Sequence, residues 1–212
     1  MSRQLGPVTR ALIVANVLVF ALQGVFRDTI MLHLALWPVR RGLVFPHLPA
    51  AARFEPWQLL TFSFLHGNFM HLFVNMLALY MFGRDVERTL GSSRYLRLYV
   101  AAVLSAGLVQ LAVVSFLSEG RPYPTIGASG GVFGVLLAFA MLFPRRIIVL
   151  LFPPIPMPAW LFVGAYALFE LFNGVTGTES GVAHFAHLGG MLGAYLVLQR
   201  WRHGRPSAEL LA

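Results

Sequence analysis

Six long apolar runs, at residues 8–25, 59–82, 95–117, 126–143, 158–172 and 182–199, follow one another between short breaks rich in Arg, Gly and Pro. A chain inside a bilayer has no water to satisfy its peptide groups, so each run must bond its own backbone, and each reads as a helix. Hydrophobic residues make up 58% of the chain and charged ones 11%, with a mean hydropathy of +0.72, a composition that excludes an ordinary soluble domain. The expected fold is an all-α polytopic membrane protein, a bundle of six transmembrane helices. One membrane domain is expected over residues 1–212, with short cytoplasmic tails at about 1–7 and 201–212.

The sixteen basic residues are all Arg and stand against eight acids, a net charge of +8. A nucleic-acid partner is not expected, because the Arg residues gather in connections between apolar runs and no basic stripe is interleaved with aromatics. Their partner is the lipid bilayer. A cytoplasmic N-terminus puts Arg84, Arg88, Arg94 and Arg97, then Arg145 and Arg146, then Arg200, Arg202 and Arg205 on the inner side, as the positive-inside rule requires. Both termini are then cytoplasmic. The exception is the first connection, residues 26–58, which carries Arg27, Arg40, Arg41 and Arg53 on the outer side. It is rich in Pro, Trp and Phe, and its apolar stretch 30–39 is too short to cross, so a long interfacial or re-entrant loop is expected. Arg3 and Arg10 before the first run imitate a signal peptide, but no small-x-small cleavage site follows, so that run reads as a retained span. The chain has no cysteine, which removes disulfides and thiolate metal sites.

Ser129 lies in Gly127-Ala128-Ser129-Gly130-Gly131, only about 24 Å of helix from Arg145, against roughly 30 Å of hydrocarbon. A hydroxyl at this helix start is therefore held below the surface, in protein or beside a wet cavity. His71 lies about 20 Å from Arg84, and His187 about 20 Å from Arg200, on the same reckoning. His71 and Asn75, four residues apart, share a helical face. Three helices thus bring Ser, His and His/Asn to one depth. Taken singly, Ser129 among glycines reads as a packing residue and each His or Asn as helix glue. Their coincidence at one depth is what favours chemistry.

Ser129 needs a base, and His187 is the candidate, giving a Ser-His dyad. No carboxylate is expected to orient that imidazole. Glu170, the one acid within an expected span, falls near the outer end of the fifth run, where a capping or interfacial role is the reading. His71, Asn75 and the Ser129 N–H are candidates to meet the oxyanion of a tetrahedral intermediate.

The ordered motifs His66-x4-His71-x3-Asn75, Gly127-x-Ser129-Gly130 and Ala186-His187-x-x-Gly190 resemble those of the rhomboid intramembrane serine proteases, over about residues 57–193. Gly83, Glu87 and Gly91 are similar to the turn after that family's second helix. The resemblance implies Ser129 as nucleophile, His187 as general base, and His71 with Asn75 at the oxyanion site. It implies a supporting role for His66 in organising water and the loop, and supporting places for Gly127, Gly130 and Gly190. Two positions depart from it. Phe133 stands four after the nucleophile where the family often has Tyr; it can stack on the imidazole but cannot hydrogen-bond. Gln58 follows Trp57 where the first-loop motif often has Arg. His184 in Ala183-His184 rivals His187, which fits the following glycines better.

The implied function is hydrolysis of peptide bonds in or near transmembrane segments of membrane-protein substrates, with no metal or organic cofactor. The resemblance also implies lateral substrate access near the fifth helix, where Trp160, Phe162, Tyr166, Phe169 and Phe172 form either a gate or a lipid-facing surface. A transporter would also place polar groups below the surface but has no need of Ser129 at a glycine-bounded helix start. A non-catalytic rhomboid-like chaperone needs neither nucleophile nor base, and a zinc protease would be expected to show H-E-x-x-H. The expected location is the cell membrane, a bacterial inner membrane, with an organellar membrane open.

Overall fold

Pro7 opens the first helix, α1 (Pro7–Leu34), where its missing N–H costs nothing. The next donors, the N–H groups of Val8 and Thr9, reach the carboxylate of Glu87 at 3.0 and 2.9 Å, and the Thr9 hydroxyl donates to it at 2.7 Å. Negative charge at a helix N-terminus is where the backbone dipole favours it. Along α1, Thr9, Leu12, Asn16 and Gln23 are buried, while Val14, Val17, Leu18, Leu22 and Val25 are exposed. Polar inside and apolar outside is the pattern of a helix facing lipid.

The structure is a computed structural model and describes residues 4–39, 52–117, 123–149, 153–177 and 183–203. The middle of the expected first loop with Arg40 and Arg41, the outer parts of both expected tails with Arg205, and the first residue of the expected run 182–199 lie outside the described residues. The front of that loop is corrected. α1 passes non-helical backbone at Phe26 and continues to Leu34, so residues 26–34 are helix rather than connection. Leu36 then pairs with Thr125 through two backbone hydrogen bonds, at 3.0 and 2.9 Å.

The run read as an unbroken second span is bent by 99°. A short helix, α2 (Gln58–Thr61), and a 3-10 turn (Phe62–Phe64) precede the bend; α3 (Phe69–Ala78) follows and leads through a π-helical turn into α4 (Arg84–Leu90). The cause lies at Gly67-Asn68. The Asn68 side chain accepts the N–H of His71 at 2.8 Å and caps a new helix start inside the apolar run.

Gly91, with φ +78°, turns the chain into α5 (Ser92–Ala112), which a π-helical turn extends to Leu117. α6 (Ser129–Leu142) is buried on nearly every side. A short antiparallel hairpin, β1 (Ile147–Val149) with β2 (Pro156–Pro158), pairs Ile148 with Met157 and joins α6 to α7 (Ala159–Thr176); an all-helical reading had not included it. α8 (His184–His203) closes the described chain and packs most extensively on α5 and α6.

Small residues let these three central helices approach. A Cβ on Gly130 would run into Ala106 of α5, one on Gly134 into Ala102, and one on Gly193 would lie 2.6 Å from the carbonyl of Ala101. The core therefore sits on α5, whose Tyr95, Leu98, Tyr99, Ala102, Val103 and Ala106 are buried. α7 lies at the margin, with Trp160, Leu168, Phe169 and Phe172 exposed. Among the described residues, three helices are long and apolar enough to cross a membrane (α1, α5 with its extension, and α7), or four if the bent pair is one span. α6 has 14 residues, and α8 falls outside that measure.

Candidate active site

The segment that delivers Ser129 is pinned before the helix begins. Thr125 is bridged to Leu36, and the N–H of Gly127 donates to the carbonyl of Phe62 at 3.0 Å. Gly127 has φ +131°, a conformation that side chains rarely tolerate, and a Cβ there would lie 2.9 Å from the His71 ring. Ser129 follows as the first residue of α6, half-buried, at a helix end whose leading N–H groups have no intrahelical acceptor.

Across from it, α8 presents His187. Its Nε2 lies 2.8 Å from Ser129 Oγ. The ring of Phe133, one turn along α6, stacks on the imidazole at 4.2 Å between centroids and 7° between planes. Tyr166 of α7 packs on Phe133 at 4.9 Å, tilted by 41°, and continues to Phe162 and Phe169 at 5.9 and 6.2 Å. Gly190, one turn along α8, abuts the carbonyl of Gly130 and keeps the two helices close.

His71 stands beside Gly127, its ring and the Ser129 hydroxyl both within 4 Å of where a Gly127 Cβ would lie. Asn75 is buried one turn further along α3 and donates its amide to the His71 carbonyl at 2.8 Å, so it bonds within its own helix rather than to Ser129 or His187. His66 is buried at the bend with its ring edge-on to His71 at 4.9 Å. Its main chain is clamped by Gln23, whose amide oxygen accepts the His66 N–H at 3.0 Å and whose amide nitrogen donates to the His66 carbonyl at 3.3 Å. The first loop is anchored by Gln58, buried, which accepts the N–H groups of Trp37 and Glu55, each at 3.2 Å, and donates to the Arg53 carbonyl at 3.2 Å.

One expectation is overturned. A carboxylate does meet the imidazole: Glu170 Oε2 lies 2.8 Å from His187 Nδ1 and 2.7 Å from His184 Nδ1. The expected fifth span ended at Phe172, which put Glu170 at its margin, but α7 runs on to Thr176 and carries Glu170 inside. The signal was its helical face. Ala159, Val163, Glu170 and Asn173 are the buried residues of α7, and their spacing puts Glu170 on the inner side, away from the exposed Phe169 and Phe172.

Glu170, His184 and His187 also form a three-ligand cluster, with ligand atoms all within 4.8 Å of one another. Two ligands each about 2.0–2.1 Å from a tetrahedral zinc stand roughly 3.3 Å apart. The carboxylate-imidazole distances are shorter, so the groups sit at hydrogen-bond spacing and would have to part to admit an ion.

The Rhomboid domain family model matches residues 53–201, which include Ser129, His187, His71, Asn75 and Glu170. The chain is 36% identical over 142 residues to Rhomboid protein 1, mitochondrial, of Saccharomyces cerevisiae, covering 66% of this chain and 39% of that protein. It is 29% identical over 213 residues to RHOMBOID-like protein 12, mitochondrial, of Arabidopsis thaliana, covering 93% of this chain and 59% of that one. It is 31% identical over 142 residues to Rhomboid protease GlpG of Salmonella choleraesuis, covering 66% and 45%. The chain thus spans between 39% and 59% of the length of these three relatives. Two of them are named as mitochondrial, so the relatives do not carry the expectation of a bacterial inner membrane. An integral, multi-pass membrane protein is the common ground, and with the family match over most of its length the chain belongs to the rhomboid family.

Proposed function

We propose that the chain is an intramembrane serine endopeptidase that hydrolyses peptide bonds in or near transmembrane segments of other membrane proteins, with Ser129 as nucleophile and His187 as general base. The observation that carries this reading is the 2.8 Å approach of Ser129 Oγ to His187 Nε2, in a chain similar to a named rhomboid protease. In acylation the Oγ–H proton passes to Nε2 while Oγ bonds to the substrate carbonyl carbon. The tetrahedral adduct collapses, the C–N bond breaks, and the leaving nitrogen takes the proton from Nε2. Water then gives a proton to Nε2 as its oxygen adds to the acyl carbon, and Ser129 Oγ leaves with that proton. No metal or organic cofactor is needed for these steps.

The oxyanion is met by the leading N–H groups of α6, with His71 and Asn75 beside them. Support for His71 is its ring against Gly127. Asn75 spends one amide hydrogen on the His71 carbonyl and keeps the other for the oxyanion. Substrate helices bond their own backbones, so local unwinding precedes cleavage, and segments with small or helix-breaking residues are favoured. Access is lateral, past the aromatic series of α7 that ends on Phe133.

The membrane arrangement we infer is a single domain of six crossings with both termini cytoplasmic. Three crossings are supported by length and apolarity, the bent pair makes a fourth, and α6 and α8 are sheltered by α5. The test is labelling with a serine-directed fluorophosphonate and cleavage of a reporter transmembrane peptide by wild type, Ser129→Ala and His187→Ala. Adduct and fragments are expected in wild type alone. Fragments from Ser129→Ala would end the proposal.

A further inference from the structure

We propose that Glu170 is a positioning residue that holds His187 in the tautomer its role requires, and that His184 holds Glu170 in turn; this rests on the proteolytic reading above. Glu170 is 3% exposed, and its Oε2 faces two imidazole nitrogens, Nδ1 of His187 at 2.8 Å and Nδ1 of His184 at 2.7 Å. An ionised carboxylate only accepts hydrogen bonds, and one of its oxygens has room for two donors. Both imidazoles then carry their proton on Nδ1. In His187 that leaves the Nε2 lone pair aimed at Ser129 Oγ, 2.8 Å away, ready to take its proton. The opposite tautomer would point an N–H at the hydroxyl and accept nothing.

The energetics favour a working role over a packing one. A buried carboxylate costs free energy unless it is paired and hydrogen-bonded, and an apolar side chain of similar volume would join α7 to α8 without that cost. The expense is recovered when His187 takes the Ser129 proton, because the imidazolium so formed lies against the carboxylate. His184 restrains the same oxygen from the next turn of α8, so the carboxylate is held from two sides. Phe133 fixes the ring plane and Glu170 fixes the ring's rotation within it.

The experiment uses the full chain in detergent micelles. Wild type must first cleave the reporter and take the fluorophosphonate; if it does neither, the proposed function falls and takes this inference with it. Given activity, Glu170→Gln, which keeps shape and loses charge, is expected to lower kcat by about tenfold to a hundredfold at unchanged KM, with labelling slowed in step. His184→Gln is expected to give a smaller fall in kcat. Proton NMR of isotopically labelled histidine supplies a readout that packing alone would not move. A low-field Nδ1–H resonance of His187 is expected in wild type and absent in Glu170→Gln. A kcat for Glu170→Gln within twofold of wild type, or a loss confined to KM, overturns the inference and leaves the proteolytic reading standing. If Glu170→Gln fails to fold, the wild-type spectrum decides, and absence of the low-field resonance overturns it.

Discussion

Gly190 of α8 lies so close to the carbonyl of Gly130 of α6 that a Cβ on Gly190 would occupy the space of the Gly130 peptide. The contact sits one residue after Ser129 and three after His187, so it sets the spacing of the two helices where they bear the candidate site. Gly190→Ala must force the helices apart, at a cost of about 1–3 kcal/mol, and a displacement of about 1 Å at the reacting atoms costs on the order of a hundredfold in rate. Gly164→Ala on α7 is the matched control, because nothing lies within 4 Å of a Cβ there. Thermal unfolding and reporter cleavage of both variants are expected to show loss in the first and near wild-type values in the second.

Gly127→Ala tests a different constraint. Its φ of +131° and the 2.9 Å approach of the His71 ring penalise any side chain, and the strain costs about 1–3 kcal/mol. Relieving the contact moves the His71 ring, and relieving the φ moves the backbone two residues before Ser129. Cleavage is expected to fall at least tenfold, while circular dichroism shows the helical content unchanged. Wild-type cleavage by Gly127→Ala would mean that His71 need not stand where it does.

Ser129, His187 and His71 were legible in the sequence because depth can be counted from an Arg at each helix end, and three independent counts agreed. Gly130 and Gly190 were legible as supporting positions, although not which helix each one met. The bend at Gly67-Asn68 was hidden by the apolar residues on both sides, which made one run of two short helices. Glu170 was missed for a related reason. Hydropathy ends a span where polarity rises, and Asn173 and Gly174 raised it before the helix stopped at Thr176. The Leu36 to Thr125 bridge and the Gln58 clamp join residues far apart in sequence, and no local pattern announces such pairings.

Phe133 separates stacking from hydrogen bonding at the base. Its ring covers the His187 imidazole at 4.2 Å and is in tilted contact with Tyr166 at 4.9 Å. Phe133→Ala removes the surface that sets the ring plane and opens a cavity, so kcat is expected to fall about tenfold or more, with stability down by about 3–5 kcal/mol. Phe133→Tyr keeps the stack and is expected to stay within a few-fold of wild type. Steady-state cleavage kinetics distinguish the two, and equal loss in both would point to simple core packing.

Glu87 offers a test of stability apart from chemistry. It caps α1 through Val8 and Thr9 and accepts the Ser92 hydroxyl at 2.7 Å, so one carboxylate ties α1, α4 and the start of α5. Glu87→Ala strands several donors at once, and a loss of about 2–3 kcal/mol is expected from the charged hydrogen bonds. Thermal unfolding should drop accordingly. Cleavage per folded molecule, measured well below the midpoint, is expected to be unchanged, because Glu87 bonds to Val8, Thr9 and Ser92, none of which belongs to the candidate site.

The cluster of Glu170, His184 and His187 sets a last expectation. Its oxygen-to-nitrogen distances of 2.7 and 2.8 Å are those of hydrogen bonds and shorter than the roughly 3.3 Å that two ligands of a tetrahedral zinc would keep. If proteolysis runs on Ser129 and His187 with the carboxylate bonded directly to the imidazole, a strong chelator should leave the cleavage rate within twofold of its starting value. Added zinc should inhibit if it acts at all, since coordination at Nδ1 of His187 would displace Glu170 from the ring. Activity lost on chelation and restored by zinc would show that an ion, rather than the carboxylate, organises the base.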